Sequence, residues 1–105
     1  PHRDDLEVRL GDRALRTFGS QGQHRTAAIA LKLGEASVLD EGGHGVVVLL
    51  DDILSELDEA RARGLVELVG GFGQALMTST RRPGRLVGDK PCRSFLVEEG
   101  GVRRQ

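Results

Sequence analysis

An uninterrupted apolar run that is followed at once by two carboxylates limits the possible folds of this chain more than any other feature. Residues 46–50 contain no polar side chain, and Asp51 and Asp52 come directly after them. Periodicity alone does not separate a buried strand from a buried helix. The short length, the three valines and the preceding glycine favour a strand covered on both faces, as in a parallel sheet.

Ligands of open α/β sheets bind beyond the carboxyl ends of the strands. We therefore predict that the two acids stand at a ligand site, where a hard cation between them and a phosphate offsets their mutual repulsion.

The segment before this strand predicts a β-hairpin followed by a helix. Residues 5–10 alternate between apolar and charged side chains, residues 13–18 form a second strand candidate, and a Gly-Asp pair between them is a plausible turn. From residue 21 to about residue 39 the pattern becomes helical, and Ser20 with Gln23 predicts a capping box at the start of this helix. A single apolar stripe is predicted along the helix at Ala27, Ala30, Leu31, Gly34 and Val38.

The segment after the central strand predicts one more helix and two more strands. Ser55, with Asp58 three residues on, resembles a helix cap and predicts that a helix opens at Ser55 and continues to about residue 69, where two glycines stop it. Residues 74–80 form a strand candidate, residues 81–85 a loop, and residues 93–98 a last strand at a sheet edge. The order β-β-α-β-α-β-loop-β predicts an α/β fold with a mainly parallel sheet, flanking helices and an N-terminal β-hairpin.

The composition excludes several kinds of site. The single cysteine, Cys92, rules out an internal disulfide and a multi-cysteine metal site, and the three histidines lack a spacing typical of metal ligands. Aromatic residues make up only 3% of the chain, with no Trp and no Tyr, so platforms for base stacking are scarce. No apolar run approaches the ~20 residues that a membrane-spanning helix needs, and we expect a cytoplasmic protein.

The charge is unevenly distributed along the chain. Residues 81–105 carry seven basic and three acidic side chains, a net charge of +4, whereas the remainder carries −5. A basic end of this kind can contact a phosphate backbone. It is also, and more often, typical of an ordinary solvated surface.

Several motifs, taken together, resemble those of ABC-type ATPases. The segment Phe18-Gly19-Ser20-Gln21-Gly22-Gln23 resembles their signature motif, Asp51-Asp52 resembles their Walker B motif, and Ser55-Glu56-Leu57-Asp58 resembles their D-loop. With the opening Pro1-His2-Arg3-Asp4-Asp5-Leu6, these motifs resemble the C-terminal part of the RecF family of bacterial recombination and DNA-repair ATPases. The resemblance covers most of residues 1–80 in the same order, and residues 81–105 match less distinctly.

The resemblance assigns the signature segment to ATP bound by a second subunit. The residues implied to contact the γ-phosphate there are Ser20, Gln21, Gly22 and Gln23. A helix N-terminus suits this role because its unpaired N–H groups and its dipole favour phosphate, and the glycine permits close approach. The alternative is that Ser20 and Gln23 only cap the helix.

The resemblance assigns the two acids to catalysis. It implies that Asp51 holds Mg²⁺ through water and that Asp52 orients or deprotonates the attacking water. Most ABC-type ATPases have Glu at the second position, and because Asp is one methylene shorter we expect slow turnover. The alternative is that the acids merely occupy a turn between strand and loop.

Two further positions follow from the resemblance. Asp58 resembles the D-loop residue that crosses to the partner subunit, and Ser55 opens the same motif. The switch histidine of ABC proteins is absent, so a hydroxyl of Ser79 or Thr80 is implied to sense the γ-phosphate instead. The alternatives are an exposed acid at a helix start for Asp58, and a plain strand end for the two hydroxyl residues.

The P-loop motif Gly-x-x-x-x-Gly-Lys-Ser/Thr is absent, because neither Lys32 nor Lys90 follows glycine or precedes Ser or Thr. In the RecF family this motif lies near the N-terminus. We therefore expect residues 1–105 to be a partial ATPase domain whose P-loop half lies upstream, with residues 81–105 as a basic loop and edge strand. The first residue, Pro1 rather than Met, agrees with this expectation. Alone, the portion should be inactive and should leave an apolar sheet edge unpaired.

The resemblance implies a protein that binds ATP, Mg²⁺ and DNA, and that forms a homodimer on ATP binding. It implies that recombination mediator proteins and RecA are its partners, at gaps or junctions in replication, recombinational repair and the SOS response. One alternative is another ABC-type ATPase, either a chromosome-maintenance protein or a transporter subunit, although a transporter normally has a fuller signature and Asp-Glu in Walker B. A receiver-like signalling module is disfavoured because Asp89-Lys90 cannot supply both of its further residues, and an α/β binding domain remains as background.

Overall fold

The computed structural model describes residues 5–42, 45–82, 84–88 and 90–105. Within these ranges the strands are β1 Arg9–Leu10, β2 Arg13–Ala14, β3 Val47–Asp51, β4 Gln74–Thr78, β5 Phe95–Glu98 and β6 Gly101–Arg104. The α-helical segments are α1 Leu15–Phe18, α2 Gln21–Glu41, α3 Glu59–Val69 and α4 Gly84–Val87, and a 3-10 helix spans Ile53–Glu56. Residues 1–4, on which part of the family resemblance rests, lie outside the described residues. Within the described ranges, none of the helices combines the length with the apolar composition that a membrane span requires.

The centre of the structure is a parallel β-α-β unit, as the sequence predicted. β3 and β4 pair in parallel, with Val47 opposite Gln74 and Asp51 opposite Thr78. α3 connects them and contributes most of the core, which consists of Val48, Leu54, Ala62, Leu65, Val66 and Val69. Burying each large aliphatic side chain stabilises the fold by about 1.5–3 kcal/mol, so this core holds β3, the 3-10 helix and α3 together.

The helix α3 begins later than the serine at position 55 predicts. Ser55 belongs to the 3-10 helix, and its Oγ donates to the carbonyl of Asp52 at 2.8 Å, so the prediction that it opens α3 is wrong. Asp58 is the N-cap instead, because its Oδ1 accepts a hydrogen bond from the Arg61 N–H at 2.8 Å. The predicted end of the helix is confirmed, with Gly70 as the C-cap.

Replacing the cap by Asp58→Ala is expected to lower the free energy of unfolding of the full-length protein by about 1 kcal/mol. Asp58→Asn keeps an oxygen that can accept from the Arg61 N–H, so its stability should stay near that of the parent. Denaturant unfolding measures both values. Equal losses in the two variants would assign the effect to the charge and contradict the capping role.

The capping box at the start of α2 is confirmed. The residues of the predicted apolar stripe do share one face of the helix, but the prediction that this stripe is the single apolar side is wrong. The Gln23 N–H donates to Ser20 Oγ at 3.2 Å, and the Ser20 N–H donates to Gln23 Oε1 at 2.8 Å. The side chains of α2 that pack against the core lie on a different side of the helix, at Ile29, Leu33 and Ala36. Leu31 and Val38 from the predicted stripe are 51% and 68% exposed. The helix is therefore apolar on two sides, and a periodicity fit to one of them does not reveal which side finds a partner.

The N-terminal hairpin forms as predicted, but with shorter strands. β1 and β2 pair antiparallel over two residues each, and Gly11 adopts a positive φ of 63° in the turn. The prediction that the second strand continues to residue 18 is wrong, because residues 15–18 form the helical turn α1. Burial of Leu15 favours this turn, which is closed by a hydrogen bond from the Gly19 N–H to the Leu15 carbonyl at 2.8 Å.

The C-terminal segment contains more regular structure than the sequence predicted. The predicted edge strand is one half of a hairpin, in which β5 pairs antiparallel with β6. Its two turn residues, Glu99 and Gly100, have positive φ values of 48° and 75°, as a type I′ hairpin turn requires. The predicted loop at 81–85 gives way to the single helical turn α4.

The predicted mainly parallel sheet is wrong for the described ranges. They contain three separate two-stranded sheets, of which only the β3–β4 sheet is parallel. β3 is also not covered on both faces: Val48 is buried, whereas Leu49 is 73% exposed, because the described helices cover one face only. This small mixed α/β arrangement is compatible with a portion of an ATPase, although it does not display the P-loop fold.

Candidate functional site

The two acids that follow the apolar run lie at the carboxyl end of the parallel pair. Asp51 is the last residue of β3, and Asp52 adopts the left-handed conformation with φ 51° and ψ 30°. Both residues are exposed. A non-glycine residue in this conformation costs about 1 kcal/mol or more, so it persists only where neighbouring contacts hold it.

Hydrogen bonds from two directions hold the backbone of Asp52. Its N–H lies 3.2 Å from the carbonyl of Thr78 and 3.0 Å from the Thr78 hydroxyl oxygen, and both oxygens accept from it. On the other side, the Ser55 hydroxyl donates to the Asp52 carbonyl at 2.8 Å. The Thr78 hydroxyl in turn donates to Oδ1 of Asp51. The ends of β3 and β4 and the start of the 3-10 helix thus form one connected polar cluster.

The donor set of this cluster suits a magnesium nucleotide better than a metal held by protein alone. Across the described ranges there is no group of three or more His, Cys, Asp or Glu side chains that could hold a metal ion. Magnesium is usually bound through one or two carboxylates together with substrate phosphates and water. Asp51 and Asp52 supply two exposed carboxylates of that kind, so they fit the ion only in the company of a phosphate ligand.

The N-terminus of α2 is open to another molecule. Ser20, Gln21 and Gly22 are exposed, and a Cβ built on Gly22 would meet no atom of this chain within 4 Å. The capping box occupies the N–H groups of Ser20 and Gln23. The first-turn amides of Gln21 and Gly22 have no partner within the helix, as is general for the start of an α-helix. The cap is confirmed as a structural feature, and it leaves donors and open space for a ligand.

The predicted signature segment and the two acids are linked by one ion pair. Arg25, on the second turn of α2, lies 3.8 Å from Glu56 in the 3-10 helix that follows Asp52. Both side chains are more than a third exposed, so this pair contributes little to holding α2 beside the 3-10 helix. The hydrogen bonds within the described residues do not join Ser20–Gln23 directly to the acids.

The other predicted positions have local partners. Besides capping α3, Asp58 pairs through Oδ2 with the Arg61 guanidinium at 2.9 Å. Ser79 Oγ accepts a hydrogen bond from the Arg81 N–H at 3.1 Å, and Thr80 is exposed. A cavity of about 360 Å³ opens beside these residues; it is lined by Leu54, Leu57, Glu59, Ala62, Ser79, Arg81, Arg82 and Leu86. The roles predicted for Ser55, Asp58, Ser79 and Thr80 stay predictions.

Sequence reasoning missed Thr78. The hydroxyl residues singled out as a switch were its two successors, whereas Thr78 makes the contacts to both acids. The signal lies in the register of the parallel pair, which sets the last residue of β4 opposite the last residue of β3. Pairing register is a tertiary property, and it cannot be counted along a single strand.

Comparisons with known proteins show which proteins this chain resembles in sequence. A protein of Exiguobacterium sp. is 47% identical over 85 residues, which are 80% of this chain and 23% of the relative. A protein of Natranaerobius thermophilus is 47% identical over 81 residues, 76% of this chain and 21% of the relative. A protein of Listeria welshimeri is 40% identical over 107 aligned residues, 99% of this chain and 29% of the relative.

All three relatives are named as DNA replication and repair proteins, and the chain is homologous to proteins of that class. More particularly, each relative is named RecF, and this chain is homologous to the C-terminal part of RecF. The chain spans about a quarter of the length of the curated relatives that it matches. No family model and no solved structure matches it.

Proposed function

We propose that this chain is the C-terminal portion of an ABC-type ATPase that acts in DNA replication and recombinational repair. The observation that carries the proposal is the exposed pair Asp51-Asp52 at the end of a parallel strand, in a chain homologous to RecF. The hydrogen bonds from Thr78 and Ser55 support it, because they hold the second acid in a conformation that costs free energy. Such local strain is often found at functional sites.

In this proposal the two acids have different tasks. Asp51 would hold the Mg²⁺ of Mg-ATP, either directly or through a water molecule, and the ion would offset the charge of the phosphates. Asp52 orients the attacking water and accepts its proton. The left-handed conformation of Asp52 ends the extended course of β3, so the direction of the Asp52 side chain is not set by the alternation of the strand. Turnover is slow because an aspartate reaches less far than the glutamate usual at this position.

The proposal further assigns the N-terminus of α2 to the γ-phosphate of ATP held by a second copy of the protein. Its exposure, the first-turn amides and the open space over Gly22 support this assignment. ATP then joins two subunits head to tail as a homodimer. The D-loop residues Ser55 and Asp58 and the switch residues Ser79 and Thr80 lie beside the same strand ends, where they contact the partner or sense the phosphate.

The biological role proposed here is that of RecF-like proteins. The dimer binds gapped or branched DNA in the cytoplasm, and recombination mediator proteins and RecA are its partners. The basic C-terminal segment supports contact with a phosphate backbone: the side chains of β6 are exposed, including Arg103 and Arg104. Homology to DNA replication and repair proteins favours this role over that of a transporter subunit or another ABC-type ATPase.

Exposed apolar surface supports the view that this chain is one portion of a larger domain. Val47, Leu49 and Leu76 on β3 and β4 are all at least half exposed. Together with Leu31 and Val38 on α2, they leave uncovered apolar patches on both the central strands and the long helix. Soluble domains normally bury such surface against a further layer.

Comparing residues 1–105 alone with the full-length protein tests the split site. The isolated portion should hydrolyse no ATP above the rate without enzyme, because it has no P-loop lysine. The full-length protein should hydrolyse ATP slowly and in a manner that depends on Mg²⁺. Steady-state phosphate release, with circular dichroism to establish folding of the portion, measures both. Turnover by the folded portion at the rate of the full-length protein would refute the proposal.

A further inference from the structure

We propose that Thr78 is a positioning residue that sets the geometry of the two acids for the magnesium nucleotide. The inference rests on the function proposed above and deepens it by adding a residue to that site. Thr78 lies directly opposite Asp51 in the parallel pair, and its hydroxyl contacts both Asp51 and Asp52. No other side chain in the described residues hydrogen-bonds to both.

The hydroxyl can serve both acids because the two bonds use different parts of it. A threonine hydroxyl has one proton to donate and lone pairs with which to accept. The Asp52 N–H donates to Thr78 Oγ1 at 3.0 Å, and the hydroxyl proton is donated to Oδ1 of Asp51. The polar chain therefore runs in one direction, from the backbone of one acid through Thr78 to the carboxylate of the other.

This chain of bonds has two effects on the site. The bond to Oδ1 limits rotation of the Asp51 carboxylate and leaves Oδ2 outside this contact, as the oxygen for the cation or its water. The bond from the Asp52 N–H helps to hold Asp52 at φ 51°, so the direction of its side chain depends on Thr78 as well. Because threonine is branched at Cβ, its hydroxyl has few rotamers and stays in position.

The test compares Thr78→Val and Thr78→Ser in the full-length protein. Valine keeps the shape and removes the hydroxyl, whereas serine keeps the hydroxyl and removes the methyl group. The direct readout is the affinity for Mn²⁺ in the presence of a non-hydrolysable ATP analogue, measured by electron paramagnetic resonance. Thr78→Val should weaken Mn²⁺ binding and lower kcat by roughly 10- to 100-fold, as is typical when a group that orients a metal ligand is removed. Thr78→Ser should recover most of both.

Controls separate this inference from the function on which it rests. Thr17→Val removes an exposed hydroxyl on α1, away from the acids, and should change neither readout. Asp51→Asn should abolish most Mn²⁺ binding that depends on the nucleotide. Normal binding in Asp51→Asn would overturn the proposed function itself. If Asp51→Asn is defective as expected, two results for Thr78→Val would overturn only the role of Thr78. One is a normal Mn²⁺ affinity, and the other is a lower melting temperature with both readouts unchanged.

Discussion

Replacing Asp52 by asparagine should abolish most ATP hydrolysis by the full-length protein while leaving ATP-dependent dimerisation in place. Asparagine has nearly the same shape and can occupy the left-handed conformation that Asp52 adopts, so the turn should persist. It cannot accept a proton from water, and a positioned base typically contributes 10²- to 10⁴-fold to the rate. We therefore expect kcat to fall at least about 100-fold.

Single-turnover hydrolysis and sedimentation of the same sample measure these two properties. The matched control is Asp12→Asn, which makes the same change at an exposed turn residue of the N-terminal hairpin. The control should keep the rate of the parent. Hydrolysis by Asp52→Asn at the rate of the control would remove Asp52 from the chemistry and leave the acids with a structural role only.

Replacing Ser20 by arginine should prevent ATP-dependent dimerisation while leaving ATP binding by the monomer nearly intact. The larger side chain removes the hydroxyl that caps α2 and fills the open space at the helix tip where the phosphate of the partner's ATP would lie. The nucleotide bound within one subunit does not contact this tip in our proposal. Dimer affinity with ATP should fall by at least about 10-fold, a change of about 1.4 kcal/mol.

The control for this experiment lies on the same helix. Ser37→Arg introduces the same side chain at another exposed serine of α2, about four turns from its start. It should dimerise as the parent does. Nucleotide titration of monomers completes the comparison, since loss of monomer binding in Ser20→Arg would count against a role in the partner's site.

Most parts of the structure that the sequence predicted are determined by residues close together in the chain, and the β3–β4 pairing is the exception. The capping box needs only Ser20 and Gln23, three residues apart, and the end of α3 needs only its glycine. The parallel pairing of β3 and β4 follows from a helix placed between two short apolar strands. These features could be predicted because local propensity and the final fold agree.

The parts that it did not predict depend on partners distant in the chain. Which side of α2 packs against the core depends on what else is present, and Ile29 and Leu33 pack there while Leu31 remains exposed. The contact between Thr78 and Asp51 depends on strand register across 27 residues. The C-terminal hairpin was missed because Glu99-Gly100 is not one of the Asn-Gly, Asp-Gly or Gly-Gly pairs typical of a type I′ turn, and the glycine alone is a weak signal.

Mixing the two defective proteins tests most directly whether two copies of this chain build one site. Neither Asp52→Asn nor Ser20→Arg should hydrolyse ATP alone. A two-fold symmetric dimer would contain two composite sites. In a mixed dimer one of them combines the intact Asp52 of one subunit with the intact Ser20 of the other, while the second site carries both substitutions. We predict that the mixture hydrolyses ATP clearly faster than the sum of its separate components. A rate equal to that sum would contradict a site shared between subunits.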